Sequence, residues 1–305
     1  MKTNRLFLIA ALLGATLASC QKAEELLPEE KPEDKPAVEQ TWKLTVQTVD
    51  TKAMEIDGTT LKNYWKKGEK VAVYLGGTKL GTLEVTSETK AATTTLHGEI
   101  SKPNDLAVNS ELMLLSPGRD DDKWTYAGQD GSEPSEAGTM ATMFNYATST
   151  LSVTALDEVN HTITASAPTK FANQQSIYRF GFKVGGTGEA ISVKSFMLSS
   201  NQNKLVVNRT YSSDWASEYG ILTMTAAGNP TGNLYCMAIR NENTTADETY
   251  TFSVVGSDDA LYEGSKTIGS AHLGNGKFLS AKSISISKKT FAPDATAISN
   301  ESAVL

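Results

Sequence analysis

An all-β fold, with two β-sandwich domains in tandem, is what this sequence predicts. Three observations carry the prediction. Apolar and polar residues alternate with period two through many short runs beyond residue 40. Gly, Asn and Asp clusters punctuate those runs at close intervals. Helix signals are scarce, so a parallel α/β architecture would lack its crossover helices.

The chain opens with Arg5, an apolar stretch over residues 6–17, and then Leu17-Ala18-Ser19-Cys20. A basic start, an apolar core and small residues before the cysteine read as a secretory signal over residues 1–19. The small side chains at 18 and 19 suit a narrow peptidase subsite, and Cys20 directly after them resembles the lipobox of bacterial lipoproteins. Cys20 is therefore the candidate lipidation site and first residue of the mature chain, which would be anchored to the membrane rather than span it. No later stretch approaches the length of an apolar membrane helix.

Residues 20–40 follow as a linker. Between Gln21 and Gln40 there are seven acidic residues, three lysines and three prolines, Pro28, Pro32 and Pro36. Such a segment has too little apolar surface to fold, and its charge and prolines keep it extended. It suits a tether between membrane and folded body. Glu24 and Glu25 resemble the surface-export signal of Bacteroidetes-type lipoproteins.

The predicted N-terminal domain covers 41–168. Residues 41–49 alternate cleanly, and 70–75 end at Gly76-Gly77. Further strands are expected at 79–86, 93–100 and 111–115, the last stopping at Ser116-Pro117-Gly118. Less regular candidates lie at 139–147 and 151–155, and 160–167 alternates again. Pro168 marks the expected boundary.

The predicted C-terminal domain covers 169–290. In 176–184, Tyr178, Phe180, Phe182 and Val184 share one parity, an aromatic core face, and Ile177, Arg179 and Lys183 the other. The run 190–200 changes phase near Ser195, as a β-bulge would make it do. Strands are expected at 204–209, 220–225, 233–240 and 249–255, with a hairpin turn at Asp258-Asp259, and 281–287 is the last clear core strand. Residues 291–305 form a tail whose last part, 295–305, has small and apolar residues at alternate places; set apart by Pro293, it is either a donor strand or a disordered terminus.

Charge narrows the function classes. The full chain carries a formal charge of −7, and loss of Lys2 and Arg5 with the signal takes it to −9. That is no footprint for nucleic acid, and no polybasic membrane patch is present. With Cys20 lipidated, Cys236 stands alone in an alternating apolar run and reads as a buried small hydrophobe. The exported chain must then be stabilised by packing rather than by an internal disulfide.

Nothing in the sequence marks a catalytic centre, a metal site or a cofactor. His97, His161 and His272 are isolated, without metal-ligand spacing. Asp120-Asp121-Asp122 lacks the spaced oxygens of a calcium loop and reads as a solvated turn. Gly185-Gly186-Thr187-Gly188 precedes no helix that would make it a phosphate cradle, and no serine sits in a nucleophile-elbow context. Two aromatic groups, Trp124 with Tyr126 and Trp215 beside Tyr211, fall in expected loops: their rings either cap a sandwich core, the commoner use of tryptophan, or, in the alternative, stack on sugars.

Several patches together resemble the fimbrillin-like lipoprotein pilin superfamily of Bacteroidales. They are Trp65-Lys66-Lys67-Gly68-Glu69 running into Lys70–Tyr74, then Leu96-His97-Gly98-Glu99-Ile100, and Glu111–Ser116 followed by Pro117. Two more are Tyr178–Val184 with Val193–Leu198, and Gly274-Asn275-Gly276-Lys277-Phe278 running into a lysine-containing final strand. The resemblance implies transthyretin-like sandwiches and a fimbrial subunit or accessory of the cell surface. It also implies assembly in which a protease removes the first strand and a neighbouring subunit donates a replacement. On this chain the removable strand would be 41–49. Some members of the family are processed after arginine, but no arginine occurs between Arg5 and Arg119; the resemblance then implies cleavage after Lys52, the candidate processing site, or elsewhere by another protease. Expected partners are other fimbrial subunits, the outer membrane through the lipid, and a host or bacterial surface ligand. The alternative is an outer-membrane glycan-binding lipoprotein using Trp124, Tyr126 or Trp215. Neither reading is enzymatic.

Overall fold

The computed structural model describes residues 40–49, 53–57, 60–88, 91–134, 143–166, 168–212, 214–240 and 246–290. Among the described residues the named elements are strands, apart from a three-residue 3-10 turn at Ser270–His272. The strands of the first half are β1 (Thr41–Val49), β2 (Ala53–Asp57), β3 (Thr60–Tyr64), β4 (Lys70–Leu75), β5 (Thr78–Val85), β6 (Thr94–Ser101), β7 (Glu111–Ser116) and β8 (Lys123–Thr125). Then come β9 (Ala147–Asp157), β10 (Thr162–Ala165), β11 (Thr169–Lys170) and β12 (Ala172–Asn173). The second half holds β13 (Ser176–Val184), β14 (Val193–Ser200), β15 (Leu205–Tyr211), β16 (Trp215–Tyr219) and β17 (Leu222–Thr225). It ends with β18 (Leu234–Arg240), β19 (Glu248–Gly256), β20 (Leu261–Ile268) and β21 (Phe278–Lys288).

Two large sheets result, as the alternation predicts. The first runs β10-β1-β6-β5-β4-β7-β9-β12, with β11 against β1. Because β10 also pairs with β9, this sheet curls round and meets itself. Its inward residues form one apolar core that includes Trp42, Leu44, Val46, Trp65, Leu83 and Leu114. Trp65 packs edge-on against Phe171, ring centroids 5.0 Å apart.

The second sheet runs β16-β15-β18-β13-β21-β20-β19-β14-β17. The aromatic face expected on β13 is present: Phe180 and Phe182 meet Phe196 and Phe252 at centroid distances of 5.2–5.8 Å. The phase change near Ser195 is a register shift between Val193 and Ser195 in the β14–β19 ladder. A second bulge lies at Gly181, where a Cβ would come 2.5 Å from the Lys282 carbonyl, so only glycine fits the β13–β21 approach.

Several strands were not legible from the alternation, the short β11 and β12 among them. The β2–β3 hairpin and β20 escaped it, and so did β8, only three residues long. The segment around Trp215, expected as loop, is the strand β16, hydrogen-bonded to β15. Within 139–147, strand structure begins only at Ala147; residues 139–142 lie outside the described residues.

β8 departs from the sheet that holds its sequence neighbours. It pairs with β15 in the second sheet, Trp124 opposite Arg209. A few residues on, Gln129 bridges to Met224. The buried core of the second half therefore also contains Ala72, Tyr74, Leu115, Trp124, Tyr126 and Tyr146.

Candidate functional site

The predicted site residues fall into three groups. Cys20, Lys52 and the tail 291–305 lie outside the described residues. The removable strand is described in full as β1. The aromatic residues proposed as sugar platforms gather where β8, β15 and β16 meet.

β1 alternates as its sequence does: Trp42, Leu44, Val46 and Thr48 are buried, and the residues between them are exposed. Its ladder with β6 is antiparallel and continuous over eight residues, from Thr41↔Ser101 to Thr48↔Thr94. The other edge is held only in patches. Lys43 and Leu44 pair in parallel with Thr162 and Ile163 of β10, and Thr48 and Val49 with Thr169 and Lys170 of β11. At its N-terminal end, Trp42 packs on the His161 ring at 5.4 Å, under the Lys102 ammonium at 5.0 Å. On the outer face, Thr45 Oγ1 and His97 Nδ1 lie 2.9 Å apart.

The aromatic residues decide between the two readings: Trp124 and Tyr126 cap the core, and the alternative that made them sugar platforms is overturned. Trp124 and Tyr126, expected in a loop, are 2% and 1% exposed. β8 is pinned on β15, and the rings turn inward to fill the space between the two sheets. Neither offers a face to a sugar. Trp124 touches Tyr146 and Trp215 at 5.5 and 5.7 Å, and Tyr126 packs against Phe144. Burial drives the Tyr126 phenol well above its ordinary pKa.

Trp215 is only half-buried. It contacts Tyr211 at 4.8 Å and Tyr146 at 5.3 Å, and the Arg209 guanidinium lies 4.3 Å from its ring centroid. Sequence reasoning missed Arg209 altogether, because its partners come from β16 and from Tyr146, far away in the chain.

The aspartate run is partly structural. Asp122 accepts hydrogen bonds from the Tyr74 hydroxyl and, at 3.1 Å, from Lys79 Nζ. Burial and the Asp122 bond both raise the Tyr74 pKa. Among the described residues no group of three His, Cys, Asp or Glu side chains is placed to hold a metal ion. No helix of the described residues is long and apolar enough to cross a membrane. Cys236 is free and fully buried in β18.

No protein-family model matches the chain, and no curated protein does. Solved structures do. A candidate cell adhesion protein from Bacteroides uniformis ATCC 8492 matches with 15% identity and a TM-score of 0.41, over 79% of this chain and 96% of that one. A fimbrial protein from Bacteroides ovatus ATCC 8483 matches with 11% identity and a TM-score of 0.32, over 81% of this chain and 49% of that one. The shaft pilin SpaA of Lactobacillus rhamnosus GG matches with 12% identity and a TM-score of 0.31, over 83% of this chain and 100% of that one. At these identities and scores the likeness to adhesion, fimbrial and pilin proteins is a distant one of β architecture.

Proposed function

We propose that this chain is a structural subunit or accessory of a cell-surface fimbrium, assembled by exchange of β1 for a strand from a neighbouring subunit. The observation that supports this reading most is the seat of β1. The strand bonds continuously along one edge and only in patches along the other. It supplies three large apolar side chains, Trp42, Leu44 and Val46, to the first sheet's core.

Removing β1 would uncover the β6 edge and a slot lined by apolar core. Burying a large apolar side chain is worth about 1.5–3 kcal/mol, so an open slot with room for Trp42, Leu44 and Val46 favours any alternating strand that can refill it. Main-chain bonding to β6 supplies the rest of the affinity, and refilling removes an edge that would otherwise recruit strands at random. The tail 295–305 alternates suitably and is the proposed donor. Such head-to-tail donation gives an open polymer.

In this reading the two sheets act as two modules, the first reaching Asn173 through β11 and β12 rather than ending at Pro168. Cys20 carries the lipid that holds the chain at the outer membrane, and cleavage near Lys52 releases β1 together with that anchor. The role is structural and requires no cofactor.

The test is limited trypsin treatment of the mature chain, followed by native sizing and N-terminal sequencing. Loss of residues 20–52 with a ladder of oligomers is expected, and Lys52→Gln should abolish the ladder. A chain cleaved at Lys52 that stays monomeric overturns strand exchange.

A further inference from the structure

The edge of the second sheet carries a recess with an unmatched positive charge. Its walls are Trp215, Ser217 and Tyr219, which alternate on one face of β16, and Arg209, the cross-strand partner of Ser217 on β15. Val206 and Ile239 form apolar parts of the lining. The space is ≈ 170 Å³, below the roughly 300–1,000 Å³ of sites for drug-sized ligands. It therefore suits one small group and not an extended chain.

Two guanidiniums line it, and they differ. Arg240 is matched by the buried Glu248 carboxylate. Arg209 has no ion pair and no hydrogen-bond acceptor among the described residues, and its Nε is buried. What holds Arg209 is stacking: the guanidinium sits 4.3 Å from the Trp215 centroid and 5.9 Å from that of Tyr146. Aromatic faces stabilise a cation, but they leave the buried Nε without an acceptor, and a desolvated donor without one is costly. The nearest acidic side chain on β16, Glu218, is on the alternate parity and accepts from Asn208 at 2.7 Å.

We infer that this recess binds a carboxylate carried on a sugar ring, an acidic monosaccharide unit of a surface glycan. One unmatched guanidinium asks for one negative charge, and its planar fork fits a carboxylate with two parallel bonds. Ser217 supplies a hydroxyl beside it. Tyr219, 39% exposed at the mouth, gives the ring an aromatic surface. The inference stands apart from strand exchange, since it uses β15 and β16 of the other sheet and not β1.

The test is titration of the full mature chain with glucuronate, followed by calorimetry and by tryptophan fluorescence, with glucose and acetate as separate arms. Glucuronate should bind, acetate more weakly, and glucose not measurably. Arg209→Met should lower glucuronate affinity at least tenfold, and Arg209→Lys should recover only part of it. Tyr219→Ala, at an exposed position, should weaken glucuronate and leave acetate unchanged, which separates ring stacking from charge pairing without disturbing the core. Glucuronate binding no tighter than glucose overturns the inference. So does unchanged glucuronate affinity in either Arg209→Met or Tyr219→Ala. Binding of acetate and glucuronate with equal affinity assigns the recess to any carboxylate and overturns the sugar.

Discussion

The side chain of Gln129 pairs with the backbone of Met237 as though it were another strand. Its Nε2 donates to the Met237 carbonyl at 2.7 Å, and the Met237 N–H donates to its Oε1 at 2.7 Å. Gln129 is 1% exposed, and its Nε2 also donates to the Tyr126 carbonyl at 2.9 Å. One amide thus ties the segment after β8 to the middle of β18. Gln129→Met keeps the volume but strands three backbone groups, the Met237 N–H and the carbonyls of Met237 and Tyr126, at about 1–3 kcal/mol each. Chemical denaturation should show a loss of at least about 3 kcal/mol.

Arg240 and Glu248 form a second buried link, with side chains 3% and 0% exposed, and the Ser200 hydroxyl also donates to Glu248. Removing one charge leaves the other uncompensated, so Arg240→Met should cost about 3–5 kcal/mol. The double variant Arg240→Met/Glu248→Leu should recover most of that loss. A double variant as unstable as the single would show that the pair itself, and not the stranded charge, sets the cost.

Phe180 sits among Phe182, Phe196 and Phe252, fully buried. Phe180→Ala should destabilise by about 3–5 kcal/mol, through lost transfer energy and the cavity left behind. Phe180→Leu, which refills most of the space, should lose clearly less in the same urea titration.

Gly98 in β6 faces β5 so closely that a Cβ would lie 2.4 Å from the Thr82 carbonyl and 3.0 Å from Leu83 Cα. Both obstacles are backbone or near it and cannot rotate away. Gly98→Ala should cost about 1–3 kcal/mol and, because Gly98 pairs with Leu44, should loosen β1. Faster amide exchange along β1 than along β13 would show this.

Stability should fall in alkali. Burial pushes the Cys236 thiol from 9.0 up to about 12 and the Tyr178 phenol from 10.0 up to about 12. The folded protein therefore holds protons that the unfolded chain has released. The benefit is complete below about pH 9 and is lost as pH rises through 9–12, by up to roughly 1.4 kcal/mol per pH unit for each group. Urea midpoints from pH 8 to 11 should decline, and Cys236→Ala should flatten the slope. The same burial should keep the thiol from iodoacetamide until the chain unfolds.

The alternation at 41–49 and 176–184 coincides with β1 and β13, and the broken phase near Ser195 coincides with a bulge. These features were legible because side-chain direction along a strand has period two, a property of a few consecutive residues. The burial of Cys236 followed from the same local pattern. β8 and β16 were not legible. Their residues, Lys123 to Thr125 and Trp215 to Tyr219, carry aromatic rings next to polar turns, and that composition suits an exposed loop as well as a covered strand.

The sequence by itself determined an all-β chain, where most of its strands lie, and which faces of β1 and β13 turn inward. Only the tertiary structure decided that Trp124 and Tyr126 are core, that β1 is held firmly on one edge and in patches on the other, and that Arg209 stacks on Trp215 without a counter-charge. The reason is physical. Local pattern sets which way a side chain points relative to its own strand. What it meets there depends on pairing between segments far apart in the chain, such as β8 with β15.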